Sequence, residues 1–132
     1  MIMNRIKNAG VDQYLHENMT WQRTLDFYLQ ENSFLKTRLS QVLDDSTGDD
    51  LVAKAEHFQN SFINNDECIK DLQSDIILVQ RSIKESLNGE HTDETKMIQK
   101  HKKLYNEMGN FEKNFAVLKN EFNQFLGSII EK

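Results

Sequence analysis

Residues 21–42 read WQRTLDFYLQENSFLKTRLSQV, and in this stretch a core-type side chain recurs at alternating steps of four and three residues. The series consists of Trp21, Leu25, Tyr28, Asn32, Leu35, Leu39 and Val42. Because an α-helix completes one turn in about 3.6 residues, this spacing places the series along one side of a helix. The stretch therefore predicts a long helix that packs against its neighbours with coiled-coil-like heptad contacts.

The same spacing continues through two further segments, from Leu51 to Ile83 and from Met97 to Ile129. A two-residue alternation, which would indicate strands, is nowhere sustained. Two short segments that are rich in turn-forming residues, 44–50 (DDSTGDD) and 88–92 (NGEHT), separate the three helical segments. Gly89 can end a helix in the left-handed conformation, and the residues able to cap the following helices are Ser46 or Thr47 and Thr92.

These boundaries predict a single domain over residues 1–132, with helices at about 11–45, 49–88 and 92–131. Short connections make consecutive helices antiparallel neighbours. The predicted fold is therefore all-α, an elongated up-down-up bundle of three long helices. At about 1.5 Å per residue, a helix of some forty residues is about 60 Å long.

Composition restricts the functional class and the compartment. The chain carries a net charge of −5, one cysteine (Cys68) and no proline. We see neither the apolar core of a secretory signal nor a run long enough to span a membrane, and a lone cysteine cannot form an intramolecular disulfide. We therefore expect a cytoplasmic protein, and the acidic balance argues against nucleic acid as a partner.

Some large apolar residues lie outside the main series. Phe27 and Phe34 fall roughly 200° around the helix from the core-facing side, and Ile63 and Ile77 lie off the main face of the second helix. One narrow core does not need these side chains. We therefore predict a second packing surface that binds a protein partner or, more simply, a second copy of the chain. The alternative is that the third helix covers them.

Polar residues also occupy core-type positions. Folding the chain at its two turns aligns Asn32 with Asn65 and Asn18 with His101, which predicts two polar layers inside the bundle. The alternative is that the asparagine side chains tilt toward solvent. A core asparagine often sets the register of a helical bundle at some cost in stability.

The sequence offers little for catalysis or for metal binding. No histidine follows a glutamate at the Glu-x-x-His spacing, no glycine-rich phosphate loop is present, and Cys68 has no nearby base. We therefore predict no enzyme activity, no metal and no cofactor. Membrane-surface binding is also not expected, because the apolar stripes serve the bundle core.

One alternative function is a small signalling or phosphotransfer-type domain. Histidine phosphotransfer domains are helical bundles of this size, with an exposed histidine followed by lysine and a small residue. The nearest match here is His101-Lys102-Lys103-Leu104, although His101 falls on the apolar series. Lys96, Lys100 and Lys103 share one face and could meet a phosphate, or could pair with acidic residues of the other helices.

Overall fold

The computed structural model describes residues 2–45, 48–89 and 94–130, and these ranges contain three helices and no strand. Helix α1 spans Ile2–Asp45, α2 spans Asp49–Leu87 and α3 spans Glu94–Ile130. The all-α fold class with three long helices, predicted from the heptad spacing, is confirmed.

Helix α1 begins at Ile2, nine residues before the predicted start at residue 11. No proline interrupts these residues, and Gly10 lowers helix stability by only about 1 kcal/mol relative to alanine. At the end of α2, Asn88 N–H donates to the Lys84 carbonyl at 3.0 Å, and Gly89 adopts a φ of +79°. Gly48 occupies the N-cap of α2 without a side-chain hydrogen bond. The predicted caps Ser46, Thr47 and Thr92 lie outside the described residues.

Side-chain contacts establish the direction of the helices. Gln22 bonds Gln80 and Asn32 bonds the Phe62 carbonyl, so α1 and α2 run antiparallel. His101 of α3 contacts Asn18 of α1, and Lys119, further along α3, contacts Glu31, further along α1. Helix α3 therefore runs parallel to α1. The three helices therefore form the predicted up-down-up bundle.

The core is aromatic at one end. Phe58 and Phe62 of α2 both pack against Phe122 of α3, with ring centroids 5.3 and 5.1 Å apart. The heptad spacing predicts deep burial of seven large residues, and six of them are buried: Leu25, Phe58, Phe62, Phe111, Phe115 and Phe122. The prediction is wrong for Trp21, which is only partly buried. Its ring stacks on His101 at the α1–α3 boundary.

Candidate functional site: an exposed stripe on α1

Phe27 and Phe34 are the most exposed aromatic residues of α1. Phe27 is 57% exposed and Phe34 is 62% exposed, so α3 does not cover them. They are one heptad apart on the side of α1 that faces away from the core. The centroids of the Phe27 and Tyr28 rings are 5.6 Å apart, and Tyr28 in turn packs against Phe111 of α3.

The residues around the two phenylalanines complete a continuous surface. At steps of three and four, exposed positions on this side of α1 read His16, Thr20, Arg23, Phe27, Gln30, Phe34 and Arg38. We call His16, Arg23, Phe27, Phe34 and Arg38 the α1 stripe. Although the chain is acidic overall, these positions contain no carboxylate. Part of the stripe lines a shallow depression between His16 and Phe27.

Ile63 and Ile77 on α2 are also exposed, but they have different neighbours. Both lie next to the side of α2 that bonds α1 through Asp66 and Gln73. Phe27, in contrast, lies toward α3. The four predicted interface residues are therefore all accessible but do not share one helix face.

The predicted polar pair of Asn18 and His101 forms part of a buried cluster. His101 is 4% exposed, and its ring lies between Tyr14, with centroids 4.0 Å apart, and Trp21, with centroids 4.9 Å apart. The Asn18 amide nitrogen donates to the Tyr14 carbonyl at 2.7 Å and to His101 Nδ1 at 3.2 Å. Because Nδ1 accepts, Nε2 carries the proton that is donated to Glu17, 2.7 Å away.

This environment does not favour the phosphotransfer alternative. Both faces of the His101 ring are covered by aromatic rings, and both nitrogens are hydrogen-bonded. A phosphate donor needs access to a ring nitrogen, whereas these nitrogens face Asn18 and Glu17. The cluster joins α1 to α3. The sequence placed Asn18 near His101, but it did not identify Glu17 as the second partner.

The other predicted layer is built differently. The buried Asn32 amide donates to the Phe62 carbonyl at 2.8 Å and to Asp66 at 2.7 Å, and Lys36 also binds Asp66. Asn65 is close in sequence, yet its amide nitrogen is buried without a hydrogen-bond partner in the described part of the chain. Asn32 therefore pairs with Asp66 instead of Asn65, because a carboxylate is the stronger acceptor.

The pKa of Asp66 is lowered from its ordinary value of 3.8. Burial raises the pKa, but the hydrogen bonds from Lys36 and Asn32, together with the charges of Lys36 and Lys70, outweigh it. Asp66 is then protonated more readily in the unfolded chain than in the fold. Its stabilising effect is present above pH 3.8 and is lost as the pH falls through the lower folded pKa.

We expect Asp66→Asn to reduce the urea midpoint at about pH 7 and to flatten the loss of stability that accompanies a fall in pH below 3.8. The amide cannot attract the Lys36 ammonium as a charge, and it does not titrate. Urea unfolding at several pH values measures the effect, and Asp12→Asn, at an exposed position of α1, serves as a control. If the wild-type and Asp66→Asn midpoints fell in parallel with pH, the assigned role of Asp66 would be wrong.

The predicted lysine cluster meets acidic groups. Lys100 and Lys103 line a cavity of about 150 Å³ together with Asp75 and Glu107, and Lys103 Nζ lies 3.7 Å from the Glu107 carboxylate. The two lysines thus share this cavity with two carboxylates. The arrangement does not concentrate positive charge for an anion.

Cys68 lies on α2, and the residue is exposed as a whole although its thiol is partly buried. This partial burial and the negative charges of Asp71 and Glu107 raise the pKa of the thiol above the ordinary value of 9.0. Because the thiolate is the reactive form of cysteine, a raised pKa makes Cys68 a poor nucleophile at neutral pH.

Within residues 2–45, 48–89 and 94–130, no group of three or more histidine, cysteine or acidic side chains is arranged to hold a metal ion. None of the helices in these ranges has the apolar character needed to cross a bilayer. No protein-family model, curated protein or solved structure matches this chain.

Proposed function

We propose that this protein is a non-enzymatic helical bundle that acts by binding protein surfaces, including its own, through the α1 stripe. One observation carries the proposal: Phe27 and Phe34 remain more than half exposed although the core is fully supplied by other residues. Exposed aromatic side chains that are aligned along a helix are typical of helix-docking surfaces.

The free energy gained by burying the two phenylalanine side chains supports this function. Burying a phenylalanine side chain that was exposed contributes about 1.5–3 kcal/mol. Two such residues, with arginines on either side, form the kind of aromatic and arginine cluster that dominates protein interfaces. Association itself costs at least about 4 kcal/mol, so the partner must contribute apolar contacts of its own.

Two further observations favour binding over catalysis. The His101 nitrogens are engaged by Asn18 and Glu17, and the raised pKa of Cys68 keeps its thiol protonated. The cytoplasmic location expected from the sequence belongs to the same proposal, since a reducing compartment suits a free thiol.

Light scattering on a sizing column tests the proposal. We expect the wild-type chain to form oligomers whose population rises with concentration, and Phe27→Glu/Phe34→Glu to remain monomeric, because two carboxylates replace the apolar contacts. Val117→Glu on α3 is the matched control, since Val117 is 53% exposed but lies outside the stripe. It should associate like the wild type. Equal association by all three proteins would contradict the proposal.

A further inference from the structure

A second surface with the opposite charge lies along the solvent-facing side of α2. It contains Glu56, Ile63, Glu67, Asp71 and Leu78, all of them exposed, and we call these residues the α2 stripe. They recur at steps of four and seven, and they lie on the side of the helix opposite its core-facing residues. This surface therefore combines two apolar residues with three carboxylates, and the exposed Lys70 lies beside Ile63, one heptad further along the helix.

We infer that the α1 stripe of one copy binds the α2 stripe of a second copy, so that the chain associates head to tail. This inference rests on the proposed function and names its partner. The two stripes carry opposite charges: the α1 stripe contains Arg23 and Arg38, and the α2 stripe contains Glu56, Glu67 and Asp71. None of these five side chains forms a salt bridge with another residue in the described ranges of the chain.

The charges on the two stripes also have the same spacing. Arg23 and Arg38 are 15 residues apart, and so are Glu56 and Asp71. On an α-helix this separation is about 22 Å, so both arginines can meet a carboxylate at once. In either helix direction, this alignment places Ile63 opposite the gap between the two phenylalanines. In this register both arginines meet a carboxylate and Ile63 lies between the two phenylalanines, whereas Glu67 lies opposite one of them and Leu78 lies beyond the segment between the arginines.

The alternative is pairing of the α1 stripe with itself. A two-fold antiparallel pair centred between Phe27 and Phe34 would place Arg23 of one copy opposite Arg38 of the other. This arrangement brings like charges together along the stripe, which opposes association. Pairing with the α2 stripe replaces the repulsion with attraction.

A head-to-tail contact has a consequence that self-pairing does not have. Each copy offers both surfaces, so a bound pair still has one free α1 stripe and one free α2 stripe. Such a contact builds either a closed ring or an open chain of copies. The association should also weaken as the ionic strength rises, because dissolved ions screen the attraction between the arginines and the carboxylates.

Mixing two variants, each lacking one surface, tests the inference. Phe27→Glu/Phe34→Glu removes the α1 stripe, and Glu56→Lys/Asp71→Lys removes the α2 stripe. Each variant alone should be monomeric by sedimentation velocity. An equimolar mixture should form a species of twice the 15.5 kDa chain mass and nothing larger, since only one compatible pair of surfaces remains.

Two control variants separate the loss of a binding surface from a general change in net charge. A chain carrying all four substitutions lacks both surfaces and should not associate with Phe27→Glu/Phe34→Glu. Asp44→Lys/Glu121→Lys changes the net charge equally at exposed sites outside both stripes, and it should associate like the wild type. Circular dichroism should show that each variant remains helical.

The outcomes are distinct. If Glu56→Lys/Asp71→Lys associates as the wild type does, the α1 stripe pairs with itself or binds elsewhere, and the head-to-tail inference is overturned while the proposed function stands. If the wild type does not associate, the self-binding part of the proposed function fails as well. The inference requires the Glu56→Lys/Asp71→Lys variant to associate at least about tenfold more weakly than the wild type, a loss typical of interfacial charge reversal.

Discussion

Replacing Phe62 with alanine is expected to lower the free energy of unfolding by about 3–5 kcal/mol. Phe62 is fully buried, and its ring meets Phe122 edge to face at 5.1 Å and Phe58 at 6.3 Å. Truncation removes these contacts and leaves a cavity that the neighbouring rings fill only in part. Such a loss is a large fraction of the total stability of a domain of this size.

Urea unfolding followed by circular dichroism measures this loss. Phe34→Ala is the matched control, because the residue type is the same but the side chain is exposed, and it should change the stability of the monomer by no more than about 0.5 kcal/mol. A loss of about 1 kcal/mol or less for Phe62→Ala would show that the aromatic end of the core is not closely packed.

The second large effect is expected at His101. Replacing it with leucine should lower the free energy of unfolding by about 2–4 kcal/mol. The substitution leaves the buried Asn18 amide without one partner, and it removes the imidazole that stacks on both Tyr14 and Trp21. Glu17 also loses its hydrogen bond to Nε2. Trp21 fluorescence should change in the folded state, since its ring centroid lies 4.9 Å from the imidazole.

A double-mutant cycle isolates the pair. Asn18→Leu/His101→Leu should be less destabilised than the sum of the two single variants, with a coupling of about 0.5–3 kcal/mol, because removing both polar partners leaves no unpaired amide between them. His57→Leu, at an exposed histidine on α2, is the control. Additive effects of the two substitutions would mean that the hydrogen bond between Asn18 and His101 does not contribute to folding.

The heptad spacing was sufficient to predict the helices and most of the core. It located Leu25, Phe58 and Phe62 on the buried side, since burial of a helix face depends on a period that the sequence displays directly. It overestimated the burial of Trp21, whose ring stacks on His101 at the boundary between α1 and α3. The same spacing also identified Phe27 and Phe34 as large apolar residues that lie outside the core.

The polar partners were harder to predict. Aligning the helices from their turns gives the level of a side chain to within about one turn, which was enough to bring Asn18 near His101. At that precision the alignment could not distinguish Asn65 from Asp66, its neighbour in sequence, as the partner of Asn32. Arg23 and Arg38 were not identified from the sequence. Their positions four residues from Phe27 and Phe34 were the available signal.

Sedimentation velocity of the wild-type chain over a wide range of protein concentrations tests the central claim most directly. Binding of the chain to itself through the α1 stripe predicts species heavier than 15.5 kDa that increase with concentration and that disappear in Phe27→Glu/Phe34→Glu. A single 15.5 kDa species at every concentration would contradict self-association.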